Sequence, residues 1–320
     1  MRNRYAYLGP EGTFTEAALR VLHPDAGAGS AIPCTGVEAV FDAVRSGAAD
    51  SGVVPLENSV EGGVPATTAE LVFGAPLMIT AEAAVPVEFT LFARPGAVLD
   101  DVKHVATHGH ALAQCRRWLG TALPDAETHT ASSTAAAAQA VADPGSPYDA
   151  AVCARIAGER YGLVPLATGI GERSDAATRF VEVSLPGRPP APTGADRTSI
   201  VAFPSDDHAG ALAELLEQFA VRGINLTRLD SRPTGDGLGR YCFCLDADGH
   251  VADAALGEAL MGLYRVCSGV RFLGSYPRAG GYPGAAGERA AAAARPGHGV
   301  TEGDFRAAAQ WLEGVRSGRR

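Results

Sequence analysis

Apolar and polar positions in the first half of the chain repeat in the order strand, turn, helix. Tyr5–Leu8 reads as a strand and residues 9–12 as a turn. Thr13 follows as a helix N-cap, with Glu16 three residues on to complete a capping box. Ala17, Ala18, Val21 and Leu22 then recur at helical spacing. Residues 37–44 predict a second helix and 51–55 a second strand. Residues 88–93 and 102–107 read as strands, and 110–119 as a helix. Residues 132–142 read as an Ala-rich helix capped by Ser132 or Ser133, and Ala150–Cys153 as a short strand with a helix through Ala157 behind it. A polar loop, 174–177, leads into a strand at 180–185. Repeated strand–loop–helix units predict an α/β fold with a largely parallel sheet. The pattern sets a second lobe at about 78–158. The chain then returns to the first lobe, so that two lobes flank a cleft.

The pattern changes after a Pro-rich stretch at 186–194, which reads as a semi-rigid linker. Strands at 198–203, 224–230, 239–246 and 270–274 alternate with helices at 209–221 and 252–266. This βαββαβ order predicts a ferredoxin-like module. Residues 278–300, rich in Gly, Ala, Arg and Pro, read as disordered. Thr301 then caps a helix with Phe305, Ala308, Trp311, Leu312 and Val315 along one stripe. The expected domains are 1–185, a linker 186–196, a regulatory-sized module 197–277 and a tail 278–320.

Composition narrows the function. The chain of 320 residues can hold two domains, and its net charge of −9 predicts no nucleic-acid partner. Lys103 is the sole lysine, so Arg carries the positive charge, and its planar fork suits carboxylates. The six cysteines form no Cys-x-x-Cys pair and no zinc-finger spacing with His, which predicts reduced thiols and no metal. The charged N-terminus lacks an apolar core behind it, and no apolar run reaches membrane-spanning length. A soluble, cytoplasmic protein without a membrane partner is expected.

Several residues offer chemistry. Thr178-Arg179-Phe180 puts a hydroxyl and a guanidinium at a strand mouth, where α/β proteins bind small ligands. Asn58 and Ser59 follow a strand and supply neutral donors, although turn chemistry also explains them. Ser133 and Thr134 open a helix whose free N–H groups can hold a carboxylate, and capping explains them nearly as well. Residues 9–13 are not a Walker loop, since no Lys follows, but Gly12 and Thr13 allow close approach of backbone to substrate. His108 and His110 read as surface histidines.

These motifs stand in a specific order: Gly9-Pro10-Glu11-Gly12-Thr13-Phe14, Pro55-Leu56-Glu57-Asn58-Ser59-Val60-Glu61-Gly62, Gln114-Cys115, Thr178-Arg179-Phe180 and Asp230-Ser231-Arg232-Pro233. The ordered set resembles the prephenate dehydratase family from about Tyr5 to Pro277. The resemblance implies two α/β lobes like those of periplasmic ligand-binding proteins, followed by an ACT domain that senses amino acids. It implies decarboxylative dehydration of prephenate to phenylpyruvate, with no cofactor, and feedback by phenylalanine. Thr178, Asn58, Gln114 and Thr107 carry over as catalytic residues, and Arg179, Ser59, Ser133, Thr134, Gly12 and Thr13 as substrate-binding ones. Gly210, Ala211, Leu212, Asn225, Leu226, Asp230, Ser231 and Arg232 match the effector site, at a subunit interface in a homodimer or homotetramer. Two departures stand out. The family carries Asn two residues before the Thr, where this chain has Ala176, and Glu where it has Asp230. No mutase-like helical segment precedes Tyr5, which predicts a monofunctional enzyme. Arogenate dehydratase and a non-catalytic amino-acid sensor are the alternatives.

Overall fold

A computed structural model describes residues 3–27, 29–235, 237, 239–280 and 299–317. The chain divides into two compact units. One holds the residues up to Thr68 together with Ala83–Val183; the other holds Ala69–Glu82 and Ser184–Gly280 together with the C-terminal helix.

The chain opens with β1 (Tyr5–Leu8), α1 (Phe14–Leu22), β2 (Ala31–Cys34), α2 (Val37–Arg45), β3 (Ser51–Asn58), β4 (Gly62–Gly63), α3 (Pro65–Phe73) and β5 (Met78–Pro86). Next come β6 (Thr90–Ala93), β7 (His104–Thr107), α4 (Gly109–Ala122), β8 (Glu127–Thr130), α5 (Thr134–Ala142), β9 (Ala150–Cys153), α6 (Arg155–Arg160), β10 (Val164–Ala167) and β11 (Ala177–Ser184). The first sheet has the order β2-β1-β3-β11-β5, with β4 against β3, and β1 runs parallel to both β2 and β3. Its β11 arrives from the far end of this half of the chain, as expected. The second lobe, however, starts later than residue 78, because β5 belongs to the first sheet.

Thr13 does cap α1, its Oγ1 accepting from the Glu16 N–H at 3.3 Å. The reciprocal half of the box is replaced: the Glu16 carboxylate takes the Gly12 N–H instead, at 2.5 Å. The buried side of α1 also differs from expectation. Ala18 and Leu19 are enclosed, while Val21 is 61% exposed.

The second sheet runs β10-β6-β9-β7-β8. Its central strands are apolar at consecutive positions because helices cover both faces. Leu91, Ala93, Val105 and Val152 pack with Cys115 and Leu119 of α4 on one side. Phe92, Ala106, Ala151 and Cys153 pack with Ala138 and Val141 of α5 on the other. Gly12, at φ +86°, lies where an added Cβ would stand 3.0 Å from the Ala157 Cα. That spacing lets the β1–α1 turn and α6 approach closely.

The second unit contains β12 (Asp196–Pro204), α7 (Ala211–Ala220), β13 (Leu226–Pro233), β14 (Tyr241–Asp248), α8 (Ala254–Val266), β15 (Cys267–Pro277) and α9 (Glu302–Arg316). Its four strands are antiparallel in the order β13-β14-β12-β15, the split βαββαβ arrangement. One face packs Ile200, Ala202, Leu245 and Ala247 under Leu215 and Phe219 of α7 and Leu256 and Leu263 of α8. Residues 69–82 join the same unit. Arg271 donates to the carbonyls of Leu71 and Gly74, both at 2.9 Å. Arg197 meets Glu82 at 2.6 Å, with the two side chains 11% and 2% exposed. Gly274, at φ +145°, has no room for a Cβ, which would fall 2.2 Å from the Ile79 carbonyl oxygen.

Thr301 caps α9 through a full capping box with Asp304, and Glu302 accepts the N–H groups of Ala254 and Ala255 at the start of α8. Trp311, Leu312 and Val315 of the apolar stripe are exposed. Most of the stretch read as disordered, 281–298, lies outside the described residues. No helix among the described residues is long and apolar enough to cross a membrane.

Candidate functional site

A cavity of about 420 Å³ opens in the first unit, between the ends of β1, β3 and β11 and the helices α4 and α5. Thr178 and Phe180 of β11 face it, together with Asn58, Thr13, Thr35, Gln114, His108, His110, Glu61 and the segment Ser132, Ser133, Thr134. Phe14, Val87 and Phe89 supply apolar wall.

The strongest internal constraint is on Thr178. The Asn58 Oδ1 accepts the backbone N–H groups of Val60 and Glu61 at 2.8 and 3.1 Å. Those two donors fix which end of the amide is oxygen. The Asn58 Nδ2 therefore donates to the Thr178 Oγ1, at 2.8 Å. A hydroxyl that already accepts one hydrogen bond is polarised and keeps its proton for another partner. Thr178 is 8% exposed and sits one residue inside β11 rather than in the preceding loop. Ser59 holds this alignment from outside the cavity: its N–H donates to the Ala177 carbonyl and its Oγ accepts the Ala177 N–H. Ala176, where the family has Asn, is buried, and its carbonyl takes the Val87 N–H at 2.8 Å.

Not every candidate faces the cavity. Side chains alternate along a strand, so with Thr178 and Phe180 facing the cavity, Arg179 points the other way. Its Nε is 3.5 Å from Glu57, and it is not among the cavity's lining residues. Thr107 is fully buried and spends its hydroxyl on the Val152 carbonyl at 2.7 Å. It braces β7 against β9. Gly12 shapes the turn without lining the cavity. Gln114 does line it, donating to Glu61 at 3.2 Å, while Glu61 also pairs with His110. Ser133 caps α5 by accepting from the Ala136 N–H at 2.9 Å.

No Lys or Arg is among the described residues lining the cavity. Anionic groups there would meet the first turn of α5 and the hydroxyls of Thr35, Ser132 and Thr134, whereas the Thr13 hydroxyl already donates to the Leu8 carbonyl at 3.0 Å. The cysteine beside Gln114 is no nucleophile: Cys115 is fully enclosed, and burial pushes its thiol up to about 12. Among the described residues one group of three side chains has metal-ligand geometry, His104, Glu127 and His129, and none of them lines this cavity.

Burial, followed by the neighbouring His110, lowers the His108 pKa; Glu61 opposes the shift. The unfolded chain thus binds more protons at this site below about pH 6.5. Stability from His108 is intact above that pH and declines as pH falls through it towards the lower folded value. We expect urea midpoints to fall between pH 7 and pH 5 with a slope that His108→Gln reduces. Identical slopes would show that His108 is not buried in neutral form.

A second, larger hollow of about 580 Å³ lies in the βαββαβ module. Gly210, Ala211 and Leu212 at the start of α7 line it, with Phe203, Tyr241 and Phe243. The other predicted effector residues do not. Asn225 bonds Asp248 at 2.9 Å, and Asp230 receives Arg228 and Arg232 at 3.1 and 3.0 Å. Leu226 and Ser231 lie with Arg228, Asp230 and Arg232 on the edge strand β13, and Asn225 immediately precedes it.

The family model PDT, prephenate dehydratase, matches residues 5–187. A prephenate dehydratase of Mycolicibacterium vanbaalenii is 47% identical over 326 residues, covering 98% of each chain. The crystal structure of prephenate dehydratase from Arthrobacter aurescens in complex with L-Phe is similar at TM-score 0.87 and 47% identity, over 98% of this chain and 99% of that one. GqqA, described as a novel type of quorum-quenching acylase, is similar at TM-score 0.77 and 29% identity, over 86% of this chain and 98% of that one.

Proposed function

The chain belongs to the prephenate dehydratase family, and from that premise we propose that the cavity around Thr178 converts prephenate to phenylpyruvate, carbon dioxide and water. The bond from the ring to its carboxylate breaks, and the electron pair enters the ring. The ring C–O bond breaks in concert or next, and the departing hydroxide takes a proton to become water. Aromatisation supplies the driving force. The protein's task is to stabilise charge on the leaving oxygen and to hold the reacting carboxylate where water is scarce.

The observation that carries this reading is the Asn58–Thr178 pair in a partly apolar cavity. Asn58 orients the hydroxyl as acceptor, and Thr178 donates to the leaving oxygen as charge grows there. Ser133 and Thr134, at the positive end of α5, receive the carboxylate that is kept. Phe14, Val87 and Phe89 leave the other one poorly solvated. Gln114 holds Glu61 at the cavity rim. The first two sheets correspond to the lobes of a periplasmic-binding-protein-like enzyme, and the enzyme works in the cytoplasm.

The βαββαβ module acts as an ACT domain that binds phenylalanine, as the L-Phe complex of the Arthrobacter relative suggests. The two predicted walls, Gly210–Leu212 and the Asn225–Arg232 strand, do not share one hollow within a single copy. They form one effector site when two modules pair in a homodimer or homotetramer.

Arogenate, with an amine in place of the keto group, is the alternative substrate. Glu61 is the carboxylate in the cavity lining that an ammonium would seek. Parallel turnover assays decide. Higher kcat/KM for prephenate is expected; higher kcat/KM for arogenate reassigns the substrate, and turnover of neither makes the chain a sensor. Calorimetry with phenylalanine on the intact enzyme should show saturable binding, and its absence removes this effector.

A further inference from the structure

We propose that His104, Glu127 and His129 form a binding site for one divalent transition-metal ion, with Zn²⁺ the best fit, on the edge of the second sheet. The strand register builds it. β7 and β8 run parallel with His104 opposite Glu127 and Ala106 opposite His129. Residues two apart on a strand share a face, so His104, Glu127 and His129 project from the same side. The His104 Nδ1 and the His129 Nε2 are 3.2 Å apart. The Glu127 Oε2 is 3.8 Å from the first and 4.0 Å from the second. Ligand atoms about 2.0–2.1 Å from a tetrahedral Zn²⁺ stand roughly 3.3–3.4 Å from one another. The two nitrogens are already at that spacing, and the carboxylate needs to close by about half an ångström. Its side chain is 73% exposed and so has room to move.

Without metal, one imidazole donates to the other. On binding, that ring shifts its proton to its remote nitrogen, and both facing nitrogens present lone pairs to the ion. Two imidazoles and a carboxylate suit Zn²⁺, and water completes the fourth position. His104 and His129 are 42% and 34% exposed, which leaves an entry path. The Asp149 Oδ2 accepts the backbone N–H groups of Lys103 and His104, both at 2.9 Å, and holds the start of β7 in place. The ion would tie the edge strand β8 to β7. It lies at the opposite end of β7 from His108, so the site is separate from the cavity.

The test uses the full-length protein stripped with chelator. Calorimetric titration with ZnSO₄ should show one saturable site, and Co²⁺ should give the intense visible bands of tetrahedral coordination. Zn²⁺ should raise Tm. His104→Asn and His129→Asn should each weaken affinity by more than about tenfold and abolish the Co²⁺ bands. Their metal-free prephenate turnover should equal wild type, which also establishes that they fold. Absence of saturable binding in the wild type overturns the site. So does Zn²⁺ binding, or a Tm rise, that the His104→Asn/His129→Asn double variant retains in full; the pair is then only a hydrogen bond.

Discussion

Thr178→Ala is expected to lower kcat by about 100- to 1,000-fold, the effect of about 2.7–4 kcal/mol typical for loss of one donor at a developing oxyanion. KM should change little, because the bond is made to an oxygen that carries full charge only in the transition state. The surroundings sharpen the expectation. Asn58 is held by two backbone donors and gives its own N–H to Thr178. Asn58→Asp should therefore also depress kcat, even though the hydroxyl remains. A carboxylate cannot donate, so the Thr178 proton would turn towards it and away from substrate. Thr178→Ser keeps a hydroxyl and should recover much of the rate. Steady-state assays of phenylpyruvate formation check all three. Near wild-type kcat in folded Thr178→Ala protein would remove Thr178 from the chemistry.

Arg197→Met is expected to destabilise the protein by about 3–5 kcal/mol. Arg197 and Glu82 meet at 2.6 Å with little water around them. Glu82 also accepts the Ala279 N–H at 3.0 Å, which does not replace a full counter-charge. Removing the guanidinium takes the counter-charge at 2.6 Å from a carboxylate that is 2% exposed. Much of the loss should return in the Glu82→Leu/Arg197→Met double variant, since an apolar pair of similar volume avoids desolvating either charge. Urea denaturation measures both. A single variant within about 0.5 kcal/mol of wild type would show that the pair is solvated in solution.

In the first two sheets the sequence revealed the central strands and missed the margins, while both margins of the third, β13 and β15, were legible. β2, β5, β8 and β10 went unread, and each lies at the margin of its sheet. β2 contains Pro33, β10 contains Pro165, and β8 reads Glu-Thr-His-Thr. Edge strands tolerate proline and polar residues because one side of the backbone needs no partner, so the apolar signal is weak there. α3 was missed for another reason. It opens on Pro65 and encloses Thr67 and Thr68 beside Leu71 and Val72, which blurs any apolar stripe. At the cavity, Thr178, Asn58 and Gln114 were legible from their motifs. Arg179 was misplaced although period-two alternation puts it opposite Thr178. Glu61 lies inside the Pro55–Gly62 motif but carries no signal of its own there, and Thr35 follows β2, whose apolar signal is weak.

The segment Ala69–Glu82 has a consequence for inheritance. It lies within the first 185 residues of the sequence, yet it packs within the unit that carries β12–β15. Its carbonyls at Leu71 and Gly74 are filled by Arg271, its Ile79 backbone abuts Gly274, and its Glu82 is matched by Arg197. The module after residue 185 is therefore not a cassette that recombination can add or delete at its linker. A chain cut there keeps the segment and loses Arg197, Arg271 and Gly274, which meet it. An exchange of modules between relatives is expected to succeed only where the segment and the module travel together.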